Sequence, residues 1–160
     1  MKQYIGTKLI EAEPACKFGG KNTAGLIADA AHEPEGATTC YSGYRVRYPD
    51  GYESWSPKDV FEKAYLPLDA NPNLKTDAPS ISQQMVDDFI ASHETMTLGG
   101  KCTVVRAMLR NGFAIVESSE CVSAENYDEK MGEEICMEHI RNQVWKLLGF
   151  LLATAVGGVK

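Results

Sequence analysis

The sequence predicts an α+β protein of two small modules, in which antiparallel β-hairpins pack against a long C-terminal helix. Two turn dipeptides, Asp50-Gly51 and Asn111-Gly112, each separate runs of β-branched and aromatic residues. This pattern is typical of hairpins, because such turn residues tolerate a positive φ. Apolar residues from Tyr127 to Leu151 recur at helical spacing, and 160 residues suffice for one domain or two small modules.

The first module, residues 1–68, is predicted to contain a hairpin and a short helix. Residues 4–10 alternate as a strand does, and this alternation stops at Pro14. Residues 17–39 are rich in Gly, Ala and Pro and are typical of a long surface loop. The hairpin around Asp50-Gly51 then places three side chains on one face, with Trp55 on the same side: Tyr44, Val46 and Tyr48.

A short helix closes this module, and a linker is predicted after it. Ser56 is suited to cap the helix and Pro57 to occupy its first position, so we expect a helix from Pro57 to Tyr65. Residues 69–79 combine prolines with turn-forming residues, which is the composition of a linker.

The second module, residues 80–156, is predicted to contain a helix, a β-hairpin and the long C-terminal helix. Ser80 and Gln83 have the spacing of a capping box, and the helix that they begin should end before Thr95. The hairpin around Asn111-Gly112 follows.

A two-residue turn at Asn111-Gly112 would set the register of that hairpin. Arg110 would then face Phe113, and further along the strands Arg106 would face Glu117 and Cys102 would face Cys121. One face would be small and apolar and would pack on the helix: Val105, Ala107 and Leu109 with Ala114, Val116 and Ser118. The other face mixes charged, hydroxyl and aromatic groups, and it is either a solvated face with an ion pair or a surface for a ligand or partner.

The long helix carries two glycines with different expected roles. Gly132 interrupts a helical pattern, which predicts that the helix backbone comes close to a neighbouring element there. Gly149 is expected to end or bend the helix near its apolar tail. Residues 147–159 carry no charge but are too few to span a bilayer. We therefore expect no membrane contact and a homo-oligomer that forms through the C-terminal helix.

Composition excludes several classes of function. A net charge of −6 argues against general nucleic-acid binding, which needs a basic face. No secretory signal is expected, because no basic segment precedes an apolar run. Five cysteines, an odd number without CxxC spacing, predict free thiols and a cytoplasmic location, and the three histidines form no metal motif.

No motif indicates an enzyme, so we expect none, and neither a cofactor nor a metal. The chain has no GxSxG, Walker, GxGxxG or HExxH sequence. Cys136 and His139 would be neighbours on a helix, but no orienting acid is recognisable beside them.

Two sets of residues have an order and spacing that can be compared with known families. They are Asn111-Gly112-Phe113, Glu117-Ser118-Ser119, Cys121-Val122, Asn126-Tyr127-Asp128, Gly132, Ile135-Cys136, Trp145, Leu147, Gly149-Phe150 and Leu152 in the C-terminal half, and Tyr4–Lys8 and Gly51–Phe61 in the N-terminal half. On the first set, the C-terminal half resembles a family of small, uncharacterised proteins of tailed phages and prophages, over residues 103–152. On the second, the N-terminal half looks like a phage module fused to other small phage domains, but the insertion at residues 17–39 departs from it.

The layout of a hairpin and a long dimerising helix is similar to that of anti-defence proteins of the Thoeris and CBASS type. That resemblance implies a host-cytoplasmic phage protein that sequesters a nucleotide-derived immune signal, a cyclic ADP-ribose isomer or a cyclic oligonucleotide, without chemistry. An aromatic group would stack on a base and arginines would bind phosphates. The residues of those types around the hairpin and the helix start are Phe113, Asn126, Tyr127, Arg106, Arg110 and Arg141.

Two other functions stay open at this point. The protein could be a protein–protein module that inhibits a host enzyme through an acidic surface. It could instead be an enzyme that cleaves such signals. The acids near the expected site, Glu117, Glu125 and Asp128, count against a phosphate ligand unless they bind ribose hydroxyls.

Overall fold

The α+β class is confirmed by a computed structural model that describes residues 1–3, 5–29, 31–68, 71–76 and 78–159. These residues form two antiparallel sheets and three α-helices, of which the last is long and C-terminal. The chain divides into two compact units, unit 1 (Met1–Pro67 with Gly158–Lys160) and unit 2 (Leu68–Gly157). Tyr4 of the expected first strand and three linker residues (Asp69, Ala70 and Asp77) lie outside the described residues.

Unit 1 contains a four-stranded sheet in the order β2–β1–β3–β4, followed by helix α1. The expected strand before Pro14 is wrong, because residues 5–10 form no strand and the first strand begins at Glu11. The expected loop at 17–39 is correct only for residues 21–26, 29 and 31–36, since residues 17–20, 27–28 and 37–39 belong to strands. The first strand runs through Pro14, which pairs with Tyr44 of β3. Its other side faces no strand at this position, since β2 pairs only with Cys16 and Lys17, and such edge positions tolerate proline. The bounds are β1 Glu11–Gly20, β2 Ile27–Ala28, β3 Ala37–Arg47, β4 Glu53–Pro57 and α1 Lys58–Ala64.

Two cysteines of unit 1 form a disulfide, which corrects the expectation of free thiols for this pair. Cys16 on β1 is joined to Cys40 on β3. Cys40 pairs with Phe18, two residues beyond Cys16 on the same strand, so the two cysteines are diagonal neighbours. Since β1 was not expected beyond Pro14, nothing in the sequence pattern placed these residues together. The other three cysteines, Cys102, Cys121 and Cys136, are free.

The β3–β4 turn holds three residues rather than two. The Tyr48 N–H donates to the Tyr52 carbonyl at 2.9 Å, and the Gly51 N–H donates to the Tyr48 carbonyl at 2.9 Å. Gly51 has a φ of +84°, as the last position of such a loop requires. The extra residue places Trp55 opposite Arg45, so the predicted grouping of Trp55 with Tyr44 and Val46 is wrong.

Unit 2 contains a three-stranded sheet in the order β5–β6–β7, between helices α2 and α3. Ser82 caps α2, since its side chain accepts the Met85 N–H at 3.2 Å. The helix ends at Phe89, earlier than expected, because strand β5 begins at the next residue. The bounds are α2 Gln83–Phe89, β5 Ile90–Leu98, β6 Cys102–Leu109, β7 Ala114–Glu120, a 3₁₀ turn Ala124–Asn126 and α3 Glu129–Gly157.

Helix α3 packs on the sheet through buried residues that are spaced four positions apart. These residues are Gly132, Cys136, Ile140, Val144 and Leu148. The predicted close approach at Gly132 is confirmed, because a Cβ there would lie 2.7 Å from the Thr103 Cβ. Gly149 does not end the helix, which continues to Gly157.

Candidate functional site

The β6–β7 turn is also a three-residue loop, and this decides which side chains are available for binding. The Leu109 N–H donates to the Phe113 carbonyl at 2.8 Å, and the Gly112 N–H donates to the Leu109 carbonyl at 2.9 Å. Gly112 has a φ of +82°, but no residue other than glycine has a positive φ among the described residues. The two-residue turn would need a positive φ at Asn111 as well, so it does not form.

The predicted register of this hairpin is therefore wrong by one residue. Arg106 faces Val116 rather than Glu117, and Cys102 faces Glu120 rather than Cys121. Because side chains alternate between faces, a one-residue shift moves every side chain of β7 to the other face. Val105, Ala107 and Leu109 pack on the helix as predicted, but Ile115 and not Val116 joins them.

The sheet of unit 2 thus has two faces with different composition. We call the side under α3 the covered face: His93, Thr95, Thr97, Thr103, Val105, Ala107, Ile115, Glu117 and Ser119. We call the other side the open face: Ser92, Glu94, Met96, Leu98, Cys102, Val104, Arg106, Met108, Ala114, Val116, Ser118 and Glu120.

Polar contacts flank the apolar centre of the covered face on both outer strands. On β5, His93 Nε2 lies 3.0 Å from Glu133, and Thr97 Oγ1 lies 2.7 Å from the Tyr127 hydroxyl. On β7, Glu117 accepts a hydrogen bond from Gln143 and pairs with His139 Nδ1 at 3.6 Å. These contacts hold α3 to both edges of the sheet.

The covered face does not contain an accessible nucleophile at Cys136. His139 has an acid beside it, Glu117, which the sequence did not place there. The Cys136 side chain is completely buried, however, and this burial, with the nearby Glu117 carboxylate, raises the pKa of its thiol. A buried thiol with a raised pKa is a poor nucleophile, so these residues do not form a catalytic group.

The structure separates most residues of the predicted ligand site. Arg110 and Phe113 are exposed on the same turn, whereas Asn126 and Tyr127 lie beyond the other end of β7. That strand has seven residues, which at about 3.4 Å each places the two ends roughly 24 Å apart.

Three residues of the predicted site already have protein partners. The Tyr127 hydroxyl contacts Thr97 and, at 3.0 Å, Thr103. The Arg141 guanidinium binds Asp87 on α2 at 3.0 Å, and Arg106 lies on the open face, 3.8 Å from Glu94. Only Arg110 and Phe113 are brought together with both side chains exposed.

The open face is the surface that sequence reasoning missed. Three of its large apolar residues are exposed: Met96 at 46 %, Leu98 at 52 % and Val116 at 59 %. The alternation of Met96 and Leu98 with Thr95 and Thr97 was the available signal for strand β5. These four residues follow directly after the segment that is predicted to be a helix, which ends before Thr95.

The net charge of the chain is carried by unit 2 alone. By sequence, unit 2 has 13 acidic and 7 basic residues, and unit 1 has nine of each. Five exposed carboxylates before α3 and in its first half make no ion pair with any described residue: Glu125, Asp128, Glu129, Glu134 and Glu138. This acidic segment surrounds the expected ligand site at Asn126 and Tyr127.

Unit 1 has a shallow groove of about 500 Å³ beside its three-residue turn. Tyr48 and Tyr52 stack with ring centroids 5.8 Å apart, and Lys8 Nζ lies 5.2 Å from the Tyr48 ring. Pro49 and Asp50 complete the lining. In the part of the chain that the structure describes, no three His, Cys, Asp or Glu side chains are placed to share a metal ion.

Comparison with known proteins shows a family likeness for most of unit 2 and gives no function. Residues 81–156 match the model of a family described as phage protein (N4 Gp49/phage Sf6 gene 66). The predicted likeness of the C-terminal half to a phage protein family is confirmed at that level. The chain matches no curated protein and no solved structure. Within the described ranges, no helix has both the length and the apolar character needed to cross a membrane.

Proposed function

We propose that the protein is a phage-encoded, non-enzymatic binding protein that inhibits a basic host protein by occupying its surface. The observation that carries this proposal is the placement of the entire net charge of −6 in unit 2, the unit that matches the phage family. Charge of one sign on one unit steers a partner of the opposite sign and fixes its orientation. Host proteins that bind nucleic acids have such basic surfaces.

The acidic segment from Glu125 to Glu138 is the surface that we assign to this partner. Glu134 and Glu138 are exposed one helical turn apart on α3, so both can contact the same basic surface. Elsewhere in unit 2, Asp87, Glu94 and Glu120 are each neutralised by a cation. A basic partner is therefore attracted mainly to the unpaired carboxylates of the acidic segment.

Sequestration of a nucleotide-derived signal is the second candidate, and one observation favours it. Arg110 and Phe113 are both exposed on one hydrogen-bonded turn, and they could bind a phosphate and stack on a base. Small-molecule sites are concave, so this turn would need another copy of the chain to complete a pocket. Around Asn126 and Tyr127, the carboxylates of Glu125 and Asp128 would repel a cyclic ADP-ribose isomer or a cyclic oligonucleotide.

Self-association through the C-terminal helix and a location in the host cytoplasm stay part of the proposal. Three apolar side chains near the end of α3 are exposed: Leu147, Phe150 and Leu151. No charge occurs from residue 147 to residue 159, so copies could meet there without repulsion. Neither a cofactor nor a metal is needed for the proposed inhibition.

A charge-reversal experiment tests the leading proposal. The full-length protein is immobilised beside the double variant Glu134→Lys/Glu138→Lys, and host lysate is passed over both at increasing salt. The matched control Glu33→Lys/Glu35→Lys makes the same change in net charge at exposed positions of unit 1. We expect a basic host protein that is retained by wild type and control, released by salt and lost from the α3 variant.

The captured protein is then purified, and its own activity is titrated with each variant. Stoichiometric inhibition by wild type and control, but not by the α3 variant, supports the proposal. Equal loss in both double variants would mean unspecific charge attraction and would contradict it.

A nucleotide panel separates the second candidate from the first. The protein is incubated with cyclic oligonucleotides and cyclic ADP-ribose isomers, denatured by heat, and the solution is analysed by chromatography. A ligand that is depleted and then recovered intact, with depletion lost in Phe113→Ala, would favour sequestration. A chemically altered ligand would mean an enzyme.

A further inference from the structure

The open face is a partly apolar sheet surface that no described residue of unit 2 covers. Met96, Leu98 and Val116 are about half exposed, and Val104 and Met108 of the central strand are partly exposed between them. Clusters of this kind on a soluble protein mark an interaction surface. A partner that covers them removes apolar area from water.

The charges of the open face show which partner fits it. Its two carboxylates each have a cation beside them: Glu94 is 3.8 Å from Arg106, and Glu120 is 3.1 Å from Lys101. The face is therefore neutral, although unit 2 has a net charge of −6. A basic partner is attracted to the acidic segment rather than here, whereas two copies of the chain meet here with the least repulsion.

We propose that a second copy of this chain covers the open face, so that the two sheets pack face to face. We call each set of side chains that lie opposite one another across the strands a row. A two-fold axis parallel to the strands, between β5 and β6, places each row of one copy over the same row of the other. Glu94 and Arg106 are paired in one row, and Met96 and Val104 in another. The axis therefore places Arg106 of each copy over Glu94 of the other, and Val104 over Met96, which is the self-complementarity that a two-fold interface requires.

The size of the face predicts a weak dimer. The axis overlaps β5 and β6 of the two copies, while Val116 on β7 lies beside the overlap. Two strands about 4.8 Å apart and about 24 Å long present roughly 230 Å² per copy. Two copies together bury about 460 Å² there, which is far below the roughly 1,200 Å² of stable specific interfaces. The dimer should therefore form in a concentration-dependent manner. This inference does not depend on the host partner proposed above.

A pair of complementary variants tests the interface directly. Glu94→Lys places two cations in the central row, and Arg106→Glu places two anions there, so each variant repels its own copies. In a Phe150→Lys background, which removes association through α3, we expect each variant alone to sediment as a monomer at concentrations where Phe150→Lys itself dimerises. An equimolar mixture of the two variants should form a heterodimer. Both side chains point outward, so thermal melting of each variant should stay close to that of wild type.

A helix variant separates this interface from the end of α3. Phe150→Lys changes a residue that is 75 % exposed on α3, and we expect it to remove association through the helix while a concentration-dependent dimer through the open face remains. A wild type that is monomeric at every concentration would overturn the proposal, as would a mixture that forms no heterodimer. Loss of self-association in Phe150→Lys alone would move the interface to the helix and overturn it too.

Discussion

The two faces of the unit 2 sheet share the same three strands but differ in side-chain size. On the covered face the central strand carries small residues, Thr103, Val105 and Ala107, all fully buried. On the open face the same strand carries Val104, Arg106 and Met108, all partly exposed. This difference shows that the nearness of helix α3, and not strand propensity, determines which side chains fit on each face of β6. At Gly132 the helix comes too close to Thr103 for even one additional carbon.

The largest expected effect comes from adding side-chain volume at Gly132, where helix α3 lies closest to the sheet. Gly132→Val should lower the free energy of unfolding by about 3 kcal/mol, because the new side chain overlaps Thr103 and forces the helix away. Urea unfolding measures this loss.

Gly149→Val is the matched control for this variant, on the same helix. Nothing lies within 4 Å of a Cβ at position 149, so its effect should stay within about 0.5 kcal/mol. Equal losses at the two glycines would contradict the close packing of α3 on Thr103.

The second prediction compares two valines on opposite faces of the sheet. Val105 is completely buried and Val116 is 59 % exposed. Val105→Ala should cost roughly 2 kcal/mol, since it leaves a cavity under the helix, and Val116→Ala less than about 0.5 kcal/mol. Chemical denaturation of both variants under the same conditions measures the difference. Similar costs would mean that Val116 is buried and that the faces are not as described.

The smallest expected effect concerns the hydrogen-bonded pair of His93 and Glu133 at the polar edge of the covered face. The hydrogen bond from His93 lowers the pKa of Glu133, so the folded state binds this proton more weakly than the unfolded chain. The pair therefore stabilises the fold above the ordinary glutamate pKa of about 4.3. This stability is lost as the pH falls through the lowered pKa.

Carbon-detected NMR titration of the Glu133 carboxyl group tests this expectation. His93→Gln should move the pKa of Glu133 upward, toward its ordinary value. Glu94→Gln on the open face is the control and should leave that titration unchanged. An unchanged pKa in His93→Gln would remove His93 as the cause.

The sequence was sufficient for the fold class and for the apolar side of β6, because alternation and helical spacing are local patterns. It was insufficient for strand β5, since Ile90 continues the apolar stripe of α2 and only the pairing with β6 makes it a strand. It was also insufficient for the disulfide, which depends on the β1–β3 register. Both hairpin turns contain one residue more than a two-residue turn, because Asp50 and Asn111 do not adopt the positive φ that a two-residue turn needs.

The candidate site was harder to predict, because it required distances between elements. Arg110 and Phe113 are adjacent through the turn itself, so sequence reasoning placed them together. Tyr127 and Arg141 are residue types suited to bind a nucleotide. However, they are hydrogen-bonded to Thr97, Thr103 and Asp87, which belong to other elements. Residue type shows what a side chain can bind, and only packing shows whether it is free to do so.

The central claim is the register that separates the open face from the covered face, and an NMR measurement tests it most directly. In the structure Arg106 and Val116 are opposite each other. They form a non-hydrogen-bonded pair, because Leu109 and Phe113 are hydrogen-bonded and the pairs alternate. We predict a strong cross-strand Hα–Hα NOE between Arg106 and Val116. In the two-residue-turn register the non-hydrogen-bonded pair would be Ala107 and Val116, so a strong Hα–Hα NOE between those two residues instead would return Glu117 to the open face and contradict the account.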